Sequence, residues 1–96
     1  MKNLVWLDLS SSDITDEMLR SLKILKKLKY LRLCNNPLTG KGLNYLKPLN
    51  KLWGLDLCNC RLQDDELIYI KHLKSLRFLN LSANPITDKG LEHLRS

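Results

Sequence analysis

Two carboxylates and three thiols are the residues of this chain whose types could do chemistry. Asp8 and Asp56 sit in matching Leu-Asp-Leu contexts, and a pair of carboxylates on one face is the residue set of general acid–base work. Arg32, in the equivalent Leu-Arg-Leu between them, argues against that use. A cation between two acids holds both ionised, whereas acid–base catalysis needs their proton affinities pushed apart. Cys34, Cys58 and Cys60 offer three thiolates for a metal, but zinc sites show paired ligand spacings that are absent here, and His72 and His93 fall on segments predicted to be helical, away from the sulfurs. No Ser/His/Asp or Cys/His arrangement converges, and no glycine-rich phosphate loop follows a strand, since Gly42 and Gly90 lie within helical segments. The residues therefore point to a non-enzymatic chain with no cofactor. Asn80-Leu81-Ser82 is a formal glycosylation sequon, disregarded because it falls in a predicted strand.

The elements that must position these residues follow from an internal echo. Residues 79–94, LNLSANPITDKGLEHL, nearly repeat residues 31–46, LRLCNNPLTGKGLNYL. Aligning Leu4, Leu28, Leu52 and Leu76 gives a period of 24, and numbering columns from Leu4 places all 24 leucines in columns 1, 4, 6, 11, 16, 19 and 22. The remaining three residues of those columns are Ile14, Ile70 and Ile86. Columns 4 to 6, as in Leu7-Asp8-Leu9, alternate with the period of a strand that buries one face. Columns 16, 19 and 22, as in Leu19, Leu22 and Leu25, share one face of a short helix. Asn36-Pro37 and Asn84-Pro85 mark turns between the two, and Thr15, Thr39 and Thr87 stand where a helix N-cap belongs. One unit cannot enclose its own core, so units must stack.

The string LxxLxLxxNxL, present from Leu28 to Leu38 and, closing on Ile, from Leu76 to Ile86, resembles the leucine-rich repeat. Ser12 and Cys60 take the Asn place in the other two units. The helical half, ITDKGLEHL, is similar to the ribonuclease-inhibitor, cysteine-containing and bacterial GALA subclasses. The resemblance implies an α/β fold: a right-handed solenoid of repeats 4–27, 28–51, 52–75 and 76–96, a parallel sheet on its concave face, short helices outside, and the binding of another protein as its work. GALA-type relatives include bacterial effectors and ubiquitin-ligase adaptors, although no F-box-like segment fits this length.

Within that frame the cysteines read as small packing residues. Column 7 is Ser10, Cys34, Cys58, Ser82, and column 9 is Ser12, Asn36, Cys60, Asn84, the place that satisfies turn backbone. Cys34 and Cys58 would lie on adjacent strands, within reach of oxidation. An odd cysteine count and a start, MKNLVWLDLS, broken by Asp8 before a signal core can form fit a reducing, intracellular compartment. The net charge of +6 invites a nucleic-acid or anionic-membrane reading. However, seven of the ten acids occupy helix starts and eight of the sixteen bases helix ends, as the helix dipole favours, and the predicted concave residues Asp8, Lys29, Arg32, Asp56 and Arg77 are too mixed for a nucleic-acid groove. A basic rim remains as the route for RNA or membrane.

Aromatic residues single out the concave face. Column 3 is Trp6, Tyr30, Gly54, Phe78, and Trp53 neighbours the gap at Gly54. Aromatics pair across strands for structural reasons, and they also form protein-binding hot spots. The second reading makes Trp6, Tyr30, Trp53 and Phe78 apolar anchors, Asp8, Arg32, Asp56 and Arg77 polar contacts, and Gly54 a slot of about 10 Å between Tyr30 and Phe78. Neither end of the chain carries an atypical capping repeat, so the competing expectations are a segment of a longer solenoid or a homo-oligomer stacked or swapped through bare ends.

Overall fold

A computed structural model describes residues 2–94. Strands β1 (Trp6–Asp8), β2 (Tyr30–Arg32), β3 (Gly54–Asp56) and β4 (Phe78–Asn80) form one parallel sheet in chain order. Each register advances by one repeat: Leu7 opposes Leu31, Leu31 opposes Leu55, and Leu55 opposes Leu79. The strands start one residue earlier than the alternation predicts. Inter-strand bonding nonetheless continues through the amides of Leu9, Leu33 and Leu57, which donate to Arg32, Asp56 and Asn80, so the inward and outward sets are unchanged. Between strands run the short helices α1 (Asp16–Leu19), α2 (Gly40–Asn44), α3 (Ile68–Lys71) and α4 (Asp88–Glu92), with 3₁₀ turns at Arg20–Ile24 and Asp64–Leu67.

Leucines fill the space between sheet and helices. Leu31, Leu33, Leu55 and Leu57 from the sheet and Leu19, Leu43 and Leu67 from the helical side are fully buried in one cluster. Each contributes about 1.5–3 kcal/mol of hydrophobic stabilisation. In the first and last repeats the equivalent Leu7, Leu9, Leu79 and Leu81 are only partly buried, because only one neighbouring unit covers them.

Thr15, Thr39 and Thr87 cap their helices as expected, their hydroxyls accepting from the amides of Met18, Lys41 and Lys89. The third repeat has Gln63 in that place, and there Glu66 reaches back to accept from the Gln63 amide at 2.9 Å.

The echo at forty-eight residues has a physical cause: successive repeats are two different parts. Column 8 is left-handed in all four units, with Ser11, Asn35, Asn59 and Ala83 at φ between 52° and 63°. Column 10 alternates. Asp13 and Arg61 are also left-handed there, whereas Pro37 and Pro85 lock φ near −65°. The second repeat then completes the first, and the fourth the third. Asn36, fully buried, accepts from the amides of Ser12 and Ile14 and donates to the carbonyl of Leu9. Asn84 does the same for Cys60, Leu62 and Leu57. On the helical side Asp16 accepts from the amide and hydroxyl of Thr39, and Asp64 from those of Thr87. This approach needs glycine one turn on: a Cβ on Gly42 or Gly90 would stand 2.3 Å from Oδ1 of Asp16 or Asp64. Asp16 and Asp64 therefore answer specific donors of the next repeat, not only a helix dipole.

Candidate binding face

The face of the sheet turned away from the helices presents the side chains flanking the buried leucines. One row is polar. Arg32 lies between Asp8 (Nη1–Oδ2 3.5 Å) and Asp56 (Nε–Oδ2 3.2 Å), the arrangement expected from the sequence. The Asp8 carboxyl is held below its usual range first by the Ser10 amide, 3.0 Å from Oδ1, then by the Ser10 hydroxyl and Arg32. Asn80 ends the row and is turned to its own strand, accepting from the Ser82 amide and hydroxyl.

The adjacent row is aromatic. Trp6 stacks on Tyr30 with centroids 5.6 Å apart and planes at 12°, and Trp53 stacks on Phe78 at 6.4 Å and 13°. Tyr30 and Phe78 meet each other at 6.2 Å. The expected slot above Gly54 is therefore closed. The Tyr30 ring leans across it, so that a Cβ on Gly54 would stand 2.5 Å from Tyr30 Cδ1; the missing side chain serves the row of rings rather than a ligand. Burial raises the Tyr30 phenol above its usual pKa, with the Asp56 carboxylate adding to the effect. The rings are packed on one another yet open to solvent: Trp6 is 57% exposed, Trp53 53% and Phe78 42%. Trp6, Tyr30, Trp53, Lys29 and Lys51 line an open pocket of about 540 Å³. Sequence reasoning did not single out Lys29 and Lys51 as a pair; their columns, 2 and 24, meet only when the chain coils. Arg77 is exposed beside Phe78, away from the Asp8–Arg32–Asp56 group.

The cysteines divide in two. Cys34 and Cys58 face each other just past the ends of β2 and β3, Cα atoms 4.7 Å apart, placed so that a disulfide can join them. Cys34 Sγ also lies 2.9 Å from Asp56 Oδ1, a contact that is a hydrogen bond only while Cys34 is a thiol. Cys34, Asp56 and Cys58 bring three possible ligand atoms, two sulfurs and a carboxylate oxygen, within 4.8 Å of one another. Cys60 takes no part: its buried sulfur points to the Leu33 carbonyl at 3.1 Å, and burial pushes its thiol pKa up. The three thiolates imagined as a metal cage are thus not assembled.

A stacked βα solenoid with one exposed sheet face is the architecture of a repeat protein. Family models described as leucine-rich repeat match residues 1–23, 27–49 and 72–94, more than two thirds of the chain. The crystal structure of an internalin (inlF) from Listeria monocytogenes is similar, at 34% sequence identity and a TM-score of 0.63 over 78% of this chain. The chain belongs to the leucine-rich-repeat family. It spans about a fifth of the length of that internalin, 22%. No curated protein matches the sequence. Among the described residues no helix is long and apolar enough to cross a membrane.

Proposed function

We propose that this protein is a non-catalytic binding module whose partner is another protein, docked on the sheet face opposite the helices. Trp6, Tyr30, Trp53 and Phe78 supply the apolar contact, and Asp8, Arg32, Asp56 and Arg77 set its register. The observation that carries this reading is the exposure of Trp6, Trp53 and Phe78 in one continuous row. Rings needed only for packing would be covered, whereas large apolar groups held rigidly in water are what interfaces use as anchors. Membership of a family that typically binds proteins supports it further. The Arg32 pairing of Asp8 and Asp56 supports the non-catalytic part, since the guanidinium fills the space between the two carboxylates where a substrate would have to sit.

The test is affinity capture from cell lysate with three baits: wild type, Trp6→Ala/Trp53→Ala/Phe78→Ala, and the rim variant Lys26→Glu/Lys47→Glu/Lys71→Glu. Circular dichroism verifies that each is folded. The expected outcome is that the aromatic variant loses the proteins captured by wild type and the rim variant keeps them. The reverse pattern, or identical capture by all three, overturns the reading.

A further inference from the structure

The pocket formed by Trp6, Lys29, Tyr30, Lys51 and Trp53 carries more information than its apolar walls. Neither lysine forms an ion pair among the described residues. The sequence around them is one-sided in charge: segments 25–30, 49–54 and 73–78, which form this end of the strands, contain Lys26, Lys27, Lys29, Lys51, Lys74 and Arg77 and none of the ten acids. The acids nearest on the same face, Asp8 and Asp56, are one row away and both flank Arg32. The potential at the pocket mouth is therefore set by unpaired ammonium groups beside exposed indoles.

We infer that this pocket takes an aliphatic or aromatic side chain from a partner segment whose flanking residues are Asp or Glu. The inference rests on the protein-binding reading above and specifies its partner. The indole faces supply apolar area, the lysine stems extend it, and their charged ends in water meet carboxylates on either side of the anchor. A cationic anchor could use the same indoles through their π faces, but the two lysines repel it. A nucleic-acid strand would match both the rings and the lysines, yet its unbroken line of phosphates would also have to pass the Asp8–Arg32–Asp56 row. An acidic peptide places charge only where the lysines stand.

Trp6 and Trp53 are the only tryptophans in the chain, so their two indole N–H signals report on this pocket alone. The experiment is an NMR titration of the ¹⁵N-labelled protein, with the signals assigned through Trp6→Phe and Trp53→Phe. The probes are a short peptide with a central Leu flanked by Asp and Glu, the same peptide with Asn and Gln in place of the acids, the same with Lys, and a short oligo-uridine. The expected result is a saturable shift of both indoles by the acidic peptide, about ten-fold weaker binding of the amide analogue, and no saturable shift by the Lys analogue. In Lys29→Glu/Lys51→Glu the order of the acidic and Lys peptides inverts. Equal affinity of acidic and amide peptides overturns the charge preference while leaving apolar docking intact. Silence of both indoles with every peptide removes the anchoring role of Trp6 and Trp53 altogether. Tighter binding of oligo-uridine than of the acidic peptide reassigns the surface to nucleic acid.

Discussion

The two ends of the strands obey different rules. Where the strands end and turn toward the helices, polar atoms meet partners within the chain: Asn36 and Asn84 serve backbone amides and carbonyls of the preceding repeat, and six residues there hold left-handed backbone. Where the strands begin, Lys29 and Lys51 have no ion-pair partner among the described residues and Trp6 and Trp53 face water. The groups that satisfy the fold and the exposed residues of the proposed binding face are thus separated along the strand by a few residues. The turn end meets its hydrogen bonds within the chain, and the residues at each end answer to different measurements.

The separation breaks most visibly at Asn36. Its side chain serves two amides and three carbonyls, those of Leu9, Leu33 and Cys34 among them. Asn36→Ala leaves these groups buried without partners, each costing about 1–3 kcal/mol where water cannot reach it, so an overall loss of about 3–5 kcal/mol is expected from urea denaturation. Lys29→Ala and Lys51→Ala, at the other end, are expected to change stability by less than about 0.5 kcal/mol. Similar losses at both ends would show that the division drawn here is wrong.

Much of the turn end was legible in the sequence, because it is written in residue types with few alternative uses. The Asn column, the Thr caps and the leucine ladder each require one chemistry at one spacing, and the structure bears them out. The aromatic end was legible only in part. Column 3 identified Trp6, Tyr30 and Phe78 as neighbours, but whether Gly54 leaves a slot or is roofed by Tyr30 depends on ring rotamers, which spacing does not specify. The Asp16–Thr39 and Asp64–Thr87 contacts were missed for a different reason: their partners stand in different columns, 13 and 12, so reading down columns never sets them side by side. The signal was available in the alternation, since Asp in column 13 of the first and third repeats is answered by Thr in column 12 and Gly in column 15 of the second and fourth.

Asp64 gives a smaller effect with a pH signature. Thr87, through its hydroxyl and then its amide, holds the Asp64 carboxyl below the ordinary value of 3.8. A depressed carboxylate adds stability that is fully present above the unfolded pKa and disappears as pH falls through the folded one. Asp64→Asn keeps an acceptor for the Thr87 amide but not the charge. Urea midpoints at neutral pH are expected to favour the wild type, with a gap that stays constant down to about pH 5 and closes below about pH 4. A gap independent of pH would mean that the contact acts through shape alone.

The smallest expected effect is a gain, and it lies in column 8, where the turn end is incomplete. Asn35 donates from Nδ2 to Ser11 Oγ at 3.1 Å, and Asn59 donates to Asn35 Oδ1 at 2.7 Å, so a side-chain ladder runs along the left-handed residues of the first three repeats. It stops at Ala83, which holds φ of 59° with a methyl group that neither prefers that conformation nor extends the ladder. Ala83→Asn is expected to stabilise by about 0.5–1 kcal/mol, since Asn tolerates left-handed backbone and its amide can reach Asn59. Ala83→Gly separates the two contributions: it removes the steric penalty but supplies no amide and gains entropy in the unfolded chain. A thermal melt in which Asn exceeds Gly at this position assigns the difference to the ladder; equal midpoints assign the whole gain to backbone relief. Neither substitution is expected to move the indole signals of Trp6 and Trp53, because the ladder lies at the opposite end of the strands from the two indoles.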